Sequence, residues 1–425
     1  MFDNSNGKKL LIIGAEYNIM NIIRQAKDMG VYTIVTERSG DLSKLPAKKI
    51  ADEVWDIDYS DIDLLSKKCK QCGVDGVMSG YSDSKVLYAA QLSQNLGTPF
   101  YVTPEQVEMT RNKRTFKKMC VKHNINVPVE YCKNGKITSE ERDNIVYPVI
   151  VKPADYGGRI GISVCHNRTE LDLAVKIARQ KSEADEIVVE EYISGIEFTA
   201  IYTIVDGEKS LSIVNDKYLS QEGNKYACLC DVAITPSKYY KLYKETVDAQ
   251  IQELLQELGV MNGIAGFQGI IANGKITIFE MGLRLNGGND WKLLAECNGI
   301  NHMKMLINYS LTGEMGDSLS KDNPELKDYM CTYVVYAHAG EVGFVDYHEI
   351  EGQQAIIDIS SYVDVGKVIP DYGTTQQRVI SFKIRAKHLE ELIDEIHFIQ
   401  THLRVEDKFG KSLLFSKFDT TRLLH

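Results

Sequence analysis

The chain has 425 residues, 44% of them hydrophobic and 25% charged, with a formal net charge of -10; that length allows two or three domains with their own cores, and the composition is neither disordered nor membranous. A negative balance without any dense Lys/Arg block excludes nucleic acid and membrane surfaces as partners. The start, MFDNSNGKKL, lacks a signal-peptide pattern and no apolar run is long enough to span a bilayer, so a cytoplasmic protein is expected.

Strand and helix signals alternate over the first hundred residues. KLLIIG (Lys9 to Gly14) reads as a buried strand, Asn18 to Met29 as a helix closed by Gly30, and VYTIV as the next strand. EVWDID, a helix from Ile62 to Cys72, the strand VDGVMS and a helix from Ser84 to Asn95 continue the pattern. It predicts an open, mostly parallel doubly wound sheet, whose ligands bind at the carboxyl ends of strands, near Gly14 and near Ser79 to Asp83. GAEYNI carries one glycine where a dinucleotide fingerprint needs three, which argues against a nicotinamide enzyme. Cys69 and Cys72 sit at the end of an amphipathic helix with no second pair to complete a zinc site, and nine scattered cysteines read as reduced thiols.

After Pro104 the texture changes, with a basic helix RNKRTFKKMCVKHN from Arg111 to Asn124, and a domain boundary falls near residue 111. In YPVIVKPADYGGRIGIS a hydrophobic strand delivers Lys152, Pro153 stops it, and a loop with Gly157, Gly158 and Gly161 precedes another strand. Those glycines let backbone N–H groups turn toward an anion beside the Lys152 ammonium. No GxxxxGK[ST] occurs, so this is not a P-loop. In EIVVEEYISGIEFTAIYTIV a strand ends in Glu190, Glu191, Tyr192 and Ile193, a turn follows at Gly195, and a second strand opens with Glu197. The linker offers main-chain groups to an adenine edge, and Glu197 can accept hydrogen bonds from ribose hydroxyls.

Asn273-Gly274 is a strong hairpin signal, joining FQGIIA to KITIFEM. Glu280 then lies on a strand leading into MGLRLNGG, where its carboxylate can hold a magnesium ion on nucleotide phosphates with Gln268 as a neutral oxygen ligand. Arg284 is placed to steady a transferring phosphoryl group or a developing oxyanion, and Gly287 and Gly288 allow close approach of a substrate. His123, His166 and His302 lack partners at metal or triad spacing and read as structural. From Leu326 a strand-rich stretch and the helix HLEELIDEIHFIQTHL suggest a further lobe.

The order Lys113, Lys152 with its glycine loop, VEEYISGIEF, then Glu280 and Arg284 resembles the ATP-grasp superfamily over roughly residues 8 to 312, within its carbamoyl-phosphate-synthase-like and L-amino-acid-ligase branch. The resemblance implies an α/β and α+β fold: a Rossmann-like domain over 1–111, an ATP-grasp domain of two α+β lobes over 112–312, and a C-terminal α+β lobe over 313–425. It implies ATP as cofactor with Mg2+ or Mn2+. Lys113 and Lys152 match the phosphate lysines, Glu190 to Ile193 the adenine linker, Glu197 the ribose acid, Glu280 the principal metal ligand, and Arg284 the residue that stabilises an acyl phosphate or tetrahedral intermediate. Two departures reduce the ligands for a second metal ion: Gln268 replaces the usual second carboxylate, and Gly282 stands where asparagine is usual, with Asn286 further on.

The activity implied is a ligase that phosphorylates a small-molecule carboxylate, such as an amino acid, and joins it to an amine. The alternatives are a purine-pathway ligase of the phosphoribosylamine-glycine type, which needs a sugar-phosphate site near Ser79 to Ser84, and a nucleotide-binding sensor without chemistry. A biotin-carboxylase reading is weaker, since it requires a biotin carrier absent from the chain. The C-terminal lobe is expected to close the cleft and to offer contacts for a homodimer.

Overall fold

In the computed structural model, β1 (Lys9–Ile13) is the core of a four-stranded parallel sheet, flanked by β2 (Tyr32–Thr36) and, outside it, β3 (Glu53–Trp55) on one side and by β4 (Gly76–Met78) on the other. The residues described are 3–38, 40, 45–155, 161–182, 184–223 and 229–424. Helices α1 (Ile19–Asp28), α2 (Ile62–Cys72) and α3 (Asp83–Leu96) cover the sheet. Because both faces are covered, β1 is apolar throughout: Leu10 and Ile12 enter one core, Leu11 and Ile13 the other.

The expected basic helix from Arg111 to Asn124 is divided. A capping box of Thr103 and Gln106 starts α4 (Pro104–Arg111), and Asn112, in an extended conformation, ends it. The Asn112 side chain accepts from the N–H groups of Arg114 and Thr115, so α5 (Lys113–Lys122) begins at Lys113. Beyond α6 (Ser139–Asp143) lies a small three-stranded sheet in the order β6 (Ser163–Cys165), β5 (Val149–Pro153), β7 (Ile187–Glu191), packed on α7 (Arg168–Lys181) with a core of its own.

The remaining chain builds on one large antiparallel sheet. Its strands are β8 (Ile196–Val205), β9 (Glu208–Leu219) and β10 (Cys230–Thr235), then, after α8 (Tyr240–Thr246) and α9 (Asp248–Leu258), β11 (Gly263–Ala272) and β12 (Lys275–Gly282). Two helices follow, α10 (Asp290–Cys297) and α11 (His302–Thr312). The C-terminal part contributes β13 (Tyr329–Tyr336), β14 (Gly340–Asp346), α12 (His348–Glu351), β15 (Ile356–Ser361), β16 (Val368–Ile369), β17 (Arg378–Ala386), α13 (Leu389–His402) and β18 (Arg404–Asp407). The large sheet runs β12-β11-β8-β9-β10-β13-β17-β15, so three strands from beyond residue 312 extend it without a break. β16, β14 and β18 form a separate small sheet. Among the described residues no helix is long and apolar enough to cross a membrane.

Asn273 and Gly274, both at positive φ, close the predicted hairpin and set Ala272 opposite Lys275 and Gln268 opposite Glu280. Next to Gln268, a Cβ on Gly269 would lie 2.5 Å from the Thr277 carbonyl oxygen and 2.6 Å from the Phe198 ring. Gly269→Ala is therefore expected to lower stability by about 1–3 kcal/mol, read from the denaturation midpoint, because neither backbone nor buried ring can yield freely.

His302 is fully buried on α11. Its Nε2 lies 2.6 Å from Thr203 Oγ1, which is 2.6 Å from Ser212 Oγ, and Ser212 donates to Asp322 Oδ2 over 2.6 Å. Burial pushes the imidazole down to about 3. An unfolded chain with an ordinary histidine binds a proton that this site refuses, so stability is present above the ordinary value and is lost as pH falls below it. At pH 5 the loss is about 2 kcal/mol relative to pH 7, and His302→Gln should flatten that part of the melting-temperature profile.

Candidate functional site

The cleft lies between the small sheet and the edge of the large one. On β5, Val149 and Val151 enter the core of the small lobe, so alternation sends Lys152 to the opposite face. Glu190 on β7 is opposite Ile150, one diagonal step from Lys152, and its Oε2 lies 2.7 Å from the Lys152 ammonium. The other Glu190 oxygen meets Lys117, whose ammonium is also 3.0 Å from Glu130. Lys113, buried at the start of α5, adds its charge to the same group. Burial, with Lys117 and Lys113 close by, pushes Lys152 down to about 7 against the pull of Glu280 and Glu130. Three lysines thus share a low-dielectric pocket that disfavours the charged forms of Lys152 and Lys117, and an anion bound there would hold them protonated.

Glu190 is 1% exposed and spends its carboxylate on the lysines. The linker that follows is pinned by its main chain: the Glu191 N–H donates to the Val129 carbonyl (2.9 Å), and the Tyr192 N–H to the Pro148 carbonyl (3.1 Å). Tyr192 is exposed and Ile193 half-buried at the mouth. Gly161 adopts φ +75°, as a loop re-entering a strand requires, while Gly157 and Gly158 lie outside the described residues.

Across the large sheet, one face carries a polar row. Glu280 on β12 faces Gln268 on β11, which faces Thr199 on β8, which faces Asn215 on β9. Two residues along, Glu197 faces Lys217, and Lys217 reaches Gln268 Oε1 at 3.2 Å. Among the described residues no three His, Cys, Asp or Glu side chains gather at a metal-binding distance. The donor set at Glu280 is one carboxylate and one amide oxygen. Such hard oxygens fit magnesium, which keeps several waters and takes one or two protein carboxylates when phosphates complete its shell.

Arg284 closes the row. Its Nε donates to Asp83 Oδ1 at 2.7 Å and an Nη to the Leu285 carbonyl at 3.2 Å. Burial opposes its charge, and the Asp83 and Glu280 carboxylates more than offset that. Asp83 opens α3 beyond the carboxyl end of β4, where a doubly wound sheet presents its crevice. The Lys152 ammonium, from the small lobe, lies 5.5 Å from the ring centre of Phe279, the residue before Glu280, and Arg284 follows two residues after the end of β12, so separate sequence motifs meet at this edge of the large sheet.

Sequence reasoning overlooked several participants. Lys117 lies one helical turn from Lys113 on the face toward the cleft, a spacing that was readable. Asp83 falls in the stretch expected at the carboxyl end of β4, but its pairing with Arg284 was not foreseen; Lys217, Asn215 and Asp290 carried no local signal, because the fold brings them in from separate elements.

The family model for the D-ala D-ala ligase C-terminus matches residues 123–261. Carbamoyl phosphate synthase large chain of Clostridium beijerinckii is 23% identical over 301 residues, 66% of this chain and 27% of that protein. The ATP-grasp enzyme fsqD of Aspergillus fumigatus is 23% identical over 278 residues, 61% of this chain and 47% of that protein. The chain therefore spans less than half the length of both relatives. The crystal structure of L-amino acid ligase from Bacillus licheniformis superposes with a TM-score of 0.79 at 19% identity, covering 95% of this chain and 99% of that one.

Proposed function

The chain has the ATP-grasp fold, and on that premise we propose that it is an ATP-dependent carboxylate–amine ligase working through an acyl phosphate, with an amino acid or a similar small acid as substrate. The observation that carries this reading is the convergence of Lys152, Glu280 and Arg284: a lysine buried for phosphate, a carboxylate for a metal, and a guanidinium beyond them. A sensor that only bound nucleotide would have no use for the third.

Lys113 and Lys152 are assigned to the nucleotide phosphates, the Glu191 to Ile193 main chain to adenine, and Glu197 to the ribose. Magnesium held by Glu280 and Gln268 would supply charge neutralisation on the outer phosphates. The substrate carboxylate attacks the γ-phosphorus and ADP leaves; an amine then attacks the acyl carbonyl and phosphate leaves. Arg284 and the N–H groups of the Gly287-Gly288 turn would stabilise the oxyanion of the second step. Water must be kept out, since it would hydrolyse the intermediate, and the glycine loop after Lys152 is the segment assigned to that task.

The first domain weighs against a sugar-phosphate substrate. At the carboxyl ends of β1 and β2, Glu16 and Glu37 both hold Lys85, the latter at 2.8 Å, and Asp83 holds Arg284. Ser79 is fully buried. Among the described residues named here, three carboxylates answer two cations, a balance that suits an amine better than a phosphate.

The test is magnesium-dependent ADP and phosphate release from the purified protein, screened against pooled amino acids and against phosphoribosylamine with glycine. Release stimulated by a pair of amino acids supports the reading, release with phosphoribosylamine transfers it to the purine class, and tight ATP binding with no release from any pool would favour a sensor.

A further inference from the structure

The turn from Arg284 to Asp290 is held from outside the grasp fold. Strand β17 sends two cations onto it: an Arg378 Nη donates to the Gly287 carbonyl at 3.3 Å, and the Lys383 ammonium donates to the Gly288 carbonyl. Lys383 is 1% exposed, on a strand whose neighbours Phe382 and Ile384 are wholly buried. Its ammonium also donates to Thr332 Oγ1 on β13 at 2.6 Å and lies 3.8 Å from Asp290 Oδ1.

A lysine in an apolar strand costs several kcal/mol unless its charge is answered. Here the answer is the turn itself. Asp290 accepts from Asn286 Nδ2 and, at 3.3 Å, from Asn215 Nδ2, and its own N–H donates to Asn286 Oδ1 at 3.1 Å. Asn215 Oδ1 in turn accepts from the Thr199 N–H at 3.1 Å, within the row that contains Gln268 and Glu280. One connected set of polar contacts therefore links the candidate metal row to the C-terminal strands.

The peptide geometry gives this set a direction. In a trans peptide the C=O and the next N–H point oppositely. Arg378 draws the Gly287 carbonyl toward the C-terminal strands, so the Gly288 N–H faces the other way.

We propose that Lys383 is a positioning residue for the ligase reaction: its buried ammonium, acting through the Gly288 carbonyl and Asp290 while Arg378 holds the Gly287 carbonyl, fixes the turn so that Arg284 and the Gly288 N–H face the reacting carboxyl group. The proposal rests on the ligase reading for its catalytic consequence, but not for the claim that Lys383 orders the turn. Burial pushes the Lys383 ammonium down to about 8, against Asp290 and Asp358 and with Lys292 and Cys331 also nearby, so the clamp should loosen in mildly alkaline solution.

The experiment compares full-length wild type, Lys383→Met and Lys383→Arg by amide hydrogen exchange over residues 284–291 and by ADP-release kinetics. Lys383→Met should speed exchange in that segment about tenfold or more and lower kcat by about tenfold or more, with the ATP KM within about threefold. Lys383→Arg should recover part of both. Unchanged exchange in a folded Lys383→Met protein overturns the proposal, as does a loss confined to the ATP KM. Should Lys383→Met fail to fold, the wild type decides: exchange of 284–291, normalised to the β8–β9 hairpin, should rise between pH 7 and pH 9.5, and a flat ratio overturns it. If no substrate pair releases ADP, the ligase reading fails while the exchange result still judges Lys383.

Discussion

Glu280→Gln should reduce magnesium-dependent ADP release by on the order of a thousandfold, the largest effect expected from any single change at the site. The substitution keeps the size and reach of the side chain, removes its charge and turns one acceptor oxygen into an NH2 donor. Gln268 opposite is already neutral, so the variant would present two amides to a divalent cation and no carboxylate. The loss extends beyond the metal, because Glu280 supports the charge of both Lys152 and Arg284. Titrating magnesium into the ADP-release assay checks this: the variant should need far more metal and still fall short at saturation. Full activity at ordinary magnesium would remove Glu280 from the metal assignment.

Arg284→Ala should lower turnover by on the order of a hundredfold or more while ATP affinity changes only a few-fold, as expected for a group that meets charge developing in the transition state. Its ion pair with Asp83, 2.7 Å long, complicates a simple reading, since the variant also leaves a carboxylate of the first domain without its partner. Asp83→Asn separates the two contributions. That change keeps the guanidinium and removes its anchor, so it should cost about tenfold in turnover. If Asp83→Asn were as damaging as Arg284→Ala, the arginine would matter as a domain link more than as a catalytic group; if Arg284→Ala left turnover intact, it would have no part in the mechanism.

The residues that announced themselves in the sequence did so through local chemistry. Lys152 ends an apolar strand at a proline, and the Asn273-Gly274 turn fixes the register that puts Gln268 beside Glu280. Alternation and glycine placement are properties of neighbours in the chain, so they are visible there. The destination of the Glu190 carboxylate was not, because it depends on Lys117 arriving from a helix some seventy residues earlier. Nor was the Asn112 break in the basic helix, where a capping side chain competes with continuous helix. Lys383 stood in the open as a charge inside VISFKIRA, a position where alternation could have flagged it; its meaning needed the Gly288 carbonyl, which comes from nearly a hundred residues away. The match to the ligase family model ends at residue 261, just before the two strands that carry Gln268 and Glu280.

The boundary expected at residue 313 does not divide the hydrogen bonds of the large sheet. β10 pairs with β9 on one side and with β13 on the other, and β13 passes the sheet on to β17 and β15. Cutting the chain near residue 312 would therefore leave β10 with a bare row of backbone donors and acceptors, the kind of edge on which chains aggregate.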